Sequence, residues 1–308
     1  MSGKGYGGRN SHHRRYGGHR NVDKSKSIVV GDKSREVMES INENSPVIQM
    51  FKQYSAELDA KHDRYERIVK TSRDITIESK RIIFLLHNVD RDSKKDSILK
   101  EAEQRLSTLV NAFFKVIAFE LEKQDPYQFS RAYSAGLQEY IEALTFFQYL
   151  SNKTIEDFAA IQKTLKYMVT DLDKKLKSSE DSPPNDSPRN EREICTLLPP
   201  SEYILGLADL TGELMRKCIN NLSSGNVEGC FQTCDFVRNI YKGFLGISNA
   251  HNSKEIGRKC YILKQSLTKM ELVCYNIVVR GSEIPQHMLA TVVTQTSDPD
   301  STEDEGYY

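Results

Sequence analysis

The sequence runs to 308 residues, 38% of them hydrophobic, enough to bury a sizeable core in one large domain or two small ones. Lysine plus arginine and aspartate plus glutamate balance at 43 each, so net charge gives no push toward nucleic acid or a membrane. No apolar run approaches the ~18 residues a membrane span needs, and six cysteines without a CxxC pair or a preceding secretory signal read as reduced thiols of a soluble, intracellular protein.

Residues 1–26 carry Lys4, Arg9, Arg14, Arg15, Arg20, Lys24 and Lys26 against Asp23 alone, among glycines and two tyrosines. Such a segment cannot bury apolar surface; it reads as a disordered basic tail over 1–34, a solvated end, a nuclear import signal or a loose grip on RNA. No glycine then occurs between Gly31 and Gly136 and no proline between Pro46 and Pro126, as long helices require. Ser45 and Pro46 open a first helix of more than 40 residues, its apolar stripe running through Val47, Phe51, Tyr54, Leu58, Tyr65, Ile68, Ile75, Ile82, Leu86 and Val89. A second spans about Ser97 to Glu122, with Leu99, Ala102, Leu106, Leu109, Phe113 and Val116 on one stripe, and a third about Tyr127 to Leu150. Thr154 and Asp157 resemble a capping box opening a fourth helix that ends near Leu176.

Residues 178–193 are rich in serine, proline and acid and read as a flexible loop. Pro199, Pro200 and Ser201 open a fifth helix, stopped after Ser223 by Gly225; a sixth covers about Val227 to Tyr241. Ser253 caps a seventh, which ends at Arg280 before Gly281. There is no convincing strand and no internal repeat. The fold class is all-α, a seven-helix antiparallel bundle over 35–290, followed by a disordered acidic tail over 291–308.

Two helices carry acids in otherwise apolar surroundings. In SAGLQEYIEALTFFQYL (134–150) the charged residues are Glu139 and Glu142, one turn apart on one face, with no lysine or arginine between Arg131 and Lys153. In EYILGLADLTGELM (202–215), Asp209 and Glu213 repeat the arrangement at i, i+4. Buried carboxylates need compensation. A divalent cation would supply it, and an all-oxygen set favours Mg²⁺, Mn²⁺ or Ca²⁺ over zinc. Equally, the pairs could face solvent or bond to arginines, Arg216 being close to Glu213 in sequence. The seven histidines read as surface or core, Cys230 and Cys234 as a short buried pair, and no P-loop, dinucleotide, nucleophile-elbow or HExxH motif occurs.

Four stretches carry a resemblance: GLQEYIEA (136–143), YILGLADLTGELMRKCIN (203–220), LKQSL (263–267) and VRGSEIPQHML (279–289). From about residue 40 to residue 290 the chain resembles the translin-associated factor X family, a branch of the translin proteins. The resemblance implies a translin-type fold and a barrel-like hetero-octamer with translin that acts as a Mg²⁺-dependent endoribonuclease on single-stranded RNA. Passenger-strand removal in RNA interference and trimming of transfer-RNA fragments go with it, in cytoplasm and nucleus. It carries catalytic and metal-binding roles onto Glu139, Glu142, Asp209 and Glu213, with Mn²⁺ as a substitute ion, and implies no membrane partner. A non-catalytic helical adaptor or RNA-binding scaffold, its acids in interfacial salt bridges, is the alternative.

Overall fold

The computed structural model describes residues 44–89, 94–170, 191–250 and 253–280. The expected tails, most of the 178–193 loop, and Gly281 with the rest of the GSEIP stretch lie outside the described residues. The chain divides into two units, Met1–Glu57 and Leu58–Tyr308.

In the first unit the described residues form the opening turns of helix α1 (Pro46–Leu86, 41 residues), begun at Pro46 with Gln49 N donating to Ser45 O at 3.0 Å. Val47, Met50, Phe51 and Tyr54 are exposed there, so the expected apolar stripe is not buried in this stretch. In the second unit the same helix buries Ile68, Ile75, Ile82 and Leu86, each contributing about 1.5–3 kcal/mol of transfer free energy.

The second rod is interrupted. Helix α2 (Lys95–Thr108) passes into a six-residue π-helical segment, Leu109–Phe114, and emerges as α3 (Lys115–Leu121). The wider turn shifts the buried stripe by one residue: Ile98, Ala102, Leu106 and Leu109 are followed by Phe114, Ile117 and Leu121, not by Phe113 and Val116.

Helix α4 (Pro126–Asn152) starts on an Asp125 carboxylate that accepts from Tyr127 N at 3.1 Å, and stops at Lys153, whose φ of 62° is left-handed. The fourth rod departs from expectation. Thr154 bonds the Asn152 side chain at 2.9 Å, Asp157 caps the helix by accepting from Ala160 N at 2.8 Å, and α5 (Phe158–Thr164) lasts only two turns. Beyond it, Tyr167 and Val169 are buried at a spacing of two, the period of a strand. β1 (Lys166–Val169) pairs antiparallel with β2 (Arg192–Cys195), which begins inside the end of the expected loop. This hairpin faces the π segment. The Tyr167 hydroxyl donates to Val110 O at 2.9 Å and Thr196 Oγ1 to Phe114 O at 2.8 Å, satisfying carbonyls of the altered helix.

Helices α6 (Pro200–Ser223), α7 (Val227–Ala250) and α8 (Lys254–Arg280) complete the chain, with Gly225 at φ 79° making the α6–α7 turn. α7 runs nine residues past the expected end at Tyr241. Counting α2, the π segment and α3 as one rod, the described residues hold seven helical rods, as expected, with one small hairpin added. α4 packs most extensively against α6, and α6 against α8.

Candidate functional site

The closest approach of α4 and α6 is built around Gly206. A Cβ there would lie 2.7 Å from Gln138 O and 2.8 Å from Ile141 Cβ, so only glycine lets the two backbones meet at this depth. One turn along from this contact, α4 presents Glu139 and Glu142 while α6 presents Asp209 and Glu213. The structure therefore brings together all four acids singled out by sequence. They line two adjoining cavities, of about 380 and 360 Å³, that share Glu139 and Glu142. Glu213 lies on the first, with Lys80, Phe84, His87 and Arg216. Asp209 lies on the second, with Thr211, Lys259 and Ile262.

Three of the acids meet cations supplied by the protein. Lys80 Nζ of α1 lies 3.2 Å from Glu139, Lys259 Nζ of α8 bonds Asp209, and Glu213 accepts from His87 Nε2 in the turn just after α1 and, at 3.0 Å, from Arg216. Arg216 is thus the partner its spacing suggested. Lys80, Lys259 and His87 come from elements distant in sequence, and nothing in the acidic helices themselves announces them. His87 in particular reads from sequence as an ordinary surface or core histidine; its ring packs on Phe146 at 5.0 Å between centroids, and its Nδ1 is buried without a partner among the described residues.

Glu142 differs from the other three. Among the described residues no cation or hydrogen-bond donor meets its carboxyl. Burial, followed by the negative charges of Asp209, Glu139 and Glu213, pushes it up to about 9. Burial also raises Glu139, opposed by the Lys80 ammonium. Among the described residues no three His, Cys, Asp or Glu side chains converge closely enough to hold a metal ion as they stand, because the outer acids are turned toward their ammonium and imidazole partners. The donor set nevertheless suits a hard divalent cation: four carboxylates on two joined cavities, with Glu142, which makes no direct ion pair among the described residues, shared by both.

A third cavity, about 490 Å³, adjoins the first across Phe84 and is lined by Lys80, Arg81, Leu85, Asn88 and Arg105. Phe84 is 75% exposed, an open aromatic ring between a basic recess and an acidic one. Cys230 Sγ donates to Cys218 O at 3.3 Å and the Cys234 thiol bonds that of Cys274, so the two expected to pair with each other each pack against a different helix. No helix among the described residues is long and apolar enough to cross a membrane.

The translin family model matches residues 63–281. Translin-associated protein X of Mus musculus is 44% identical over 83% of this chain and 86% of its own length. Translin of the same organism is 23% identical over 76% of this chain and 94% of its own. Among solved structures, the crystal structure of AfC3PO is similar with a TM-score of 0.48 and 16% identity, covering 80% of this chain and 99% of that one.

Proposed function

Because the chain belongs to the translin family, nearer to translin-associated protein X than to translin, we propose that it is the cutting subunit of a Mg²⁺-dependent endoribonuclease for single-stranded RNA, assembled with translin as a hetero-octamer. The observation that carries the reading is the convergence of Glu139, Glu142, Asp209 and Glu213 on joined cavities, with Glu142 raised to about 9 by burial and the other three acids. These four would hold Mg²⁺, or Mn²⁺ in its place. Bound there, the ion supplies Lewis-acid polarisation of a phosphate and a water of lowered pKa.

The chain's own residues do the remainder. Lys80 and Arg216, at the rim, offer cationic contacts for backbone phosphates. Phe84 offers a stacking face for a base, and Arg81 and Arg105 flank the path beyond it. Glu142, at about 9 despite the Lys259 ammonium on the same cavity, keeps a proton on its carboxyl oxygen at neutral pH, and a divalent ion bound between the acids would favour releasing it. Passenger-strand and transfer-RNA fragments are the proposed substrates. Cytoplasm and nucleus are the proposed compartments, the basic run of residues 1–26 supporting the nuclear share.

A second reading, a non-catalytic adaptor or RNA-binding scaffold, is favoured by one observation: two of the four acids already bridge helices through ion pairs, and a third bonds His87 in the turn after α1. The test uses the full chain co-expressed with translin, a labelled single-stranded RNA, and Mg²⁺ or EDTA, with wild type and Glu142→Ala. Cutting that requires Mg²⁺ and vanishes in the variant, while RNA stays bound, supports the nuclease. RNA bound but intact in every condition leaves the adaptor.

A further inference from the structure

Away from the acids, four cysteines lie close enough to sense one another's charge: Cys218 on α6, Cys230 and Cys234 one turn apart on α7, and Cys274 on α8. They form two pairs that differ in kind. Cys218 and Cys230 are both fully buried and exchange sulfur-to-carbonyl contacts at 3.3 and 3.8 Å, as small apolar side chains packing α6 on α7. Cys234 and Cys274 bond thiol to thiol between α7 and α8, and this pair has both a cation and a route to solvent.

The cation is Arg238, one turn past Cys234 on α7, which donates from Nη2 to Cys234 Sγ at 3.6 Å. Glu271 of α8 holds the guanidinium in place, accepting at 3.0 Å from Nε and Nη2, and Asp235 accepts from Nη1. The route is Cys274, which is partly exposed, whereas Cys234 is buried. A sulfur that accepts from both a thiol and a guanidinium is favoured as the thiolate. The Cys274 S–H holds Cys234 below the usual thiol range, with Arg238 adding to the effect against burial and the Glu271 and Asp235 carboxylates; Cys274, as the donor, is raised. The pair therefore gives up one proton before an isolated thiol would and keeps the other between its sulfurs.

We propose that Cys234 and Cys274 form a peroxide-oxidisable dithiol site, closing to a disulfide that ties α7 to α8 and reopening when a small thiol reduces it. The shared proton moves onto Cys234 as the Cys274 sulfur, the one that solvent reaches, attacks a peroxide oxygen. The O–O bond breaks and the departing hydroxide takes that proton as water, leaving a sulfenic acid on Cys274 and a thiolate on Cys234. Cys234 then attacks the sulfenic sulfur; the S–O bond breaks, and hydroxide leaves with the proton given up at the start as a second water. Two electrons pass from the sulfurs to hydrogen peroxide, which is reduced to two waters. The site is independent of the nuclease reading.

The test treats the full chain, co-expressed with translin, with hydrogen peroxide in EDTA, then alkylates it, digests it with trypsin and analyses the peptides unreduced. Cleavage at Lys217, Arg238, Lys269 and Arg280 leaves Cys234 on peptide 218–238 with Cys218 and Cys230, and Cys274 alone on peptide 270–280. The expected product is a cross-link between these two peptides, placed on Cys234 by fragmentation and removed by dithiothreitol. Arg238→Met keeps both thiols and replaces a side chain that is 39% exposed, so it should fold. It should form the cross-link more slowly, by on the order of tenfold, the equivalent of one unit in the pair's pKa. A bond on Cys218 or Cys230 instead, or complete oxidation of the exposed Cys195 before any cross-link appears, overturns the site, as does a wild-type rate in Arg238→Met.

Discussion

Glu142→Gln in the metal-free chain isolates the electrostatic cost at the centre of the acid cluster. The carboxyl is raised from 4.5 to about 9, first by burial and then by three neighbouring acids. Between those two values the folded state binds a proton that the unfolded state has released, so the free energy of unfolding falls as pH rises. Below the lower value both states are protonated and the contribution is fully present; above the upper one both are ionised and it is lost. At about 1.4 kcal/mol per unit, the interval from pH 5 to pH 8 is worth at most ~4 kcal/mol. Solvent reaches part of the group, which reduces the expectation to about 2 kcal/mol. Glutamine keeps the shape of the neutral acid and cannot ionise. The variant should therefore match wild type at pH 5 and exceed it at pH 8, by roughly 4–8 °C in Tm for a domain of this size. Thermal unfolding in EDTA across that range is the assay, and all other titrations cancel in the difference. Parallel Tm curves for the two proteins would refute the reasoning, because they would mean that Glu142 ionises at no cost. Mg²⁺ added at pH 8 should narrow the gap by stabilising wild type alone.

Gly206→Ala should cost about 1–3 kcal/mol in urea unfolding, since the added methyl meets the α4 backbone and Ile141, and RNA cutting should fall with it as the acids move apart. Phe84→Ala should leave stability unchanged, the ring being open to solvent, while weakening single-stranded RNA binding by about tenfold, equivalent to ~1.4 kcal/mol and within the range for one stacked base. Equal affinities in a fluorescence titration would remove Phe84 from the RNA path. Tyr167→Phe deletes the donor to Val110 O and should destabilise by about 1–3 kcal/mol, read in the same denaturation experiment.

The helices were legible because their signals are local. Pro46, Pro126 and Pro200 stand at helix starts, Gly225 makes a turn, and the apolar spacing of α1 carries through to the buried Ile68, Ile75, Ile82 and Leu86. What sequence missed depends on contacts made at a distance. The π segment leaves no mark of its own in Leu109–Phe114, and a regular helical stripe drawn through it lands on Phe113 in place of Phe114. Lys166–Val169 continues a helical pattern by propensity but becomes a strand because Arg192–Cys195 pairs with it, across 22 intervening residues. The four acids stood out as charges in apolar runs, whereas Lys80, His87 and Lys259 sit among many similar residues and are identified only by what they touch.

Those three contacts have a consequence for how the molecule waits. Lys80–Glu139 ties α1 to α4, His87–Glu213 ties the turn after α1 to α6, and Lys259–Asp209 ties α8 to α6. The acidic centre is therefore cross-braced by the protein's own side chains. Taking up a divalent ion there would be an exchange of one set of counter-charges for another, and the resting chain would need neither ion nor substrate to keep its carboxylates in register.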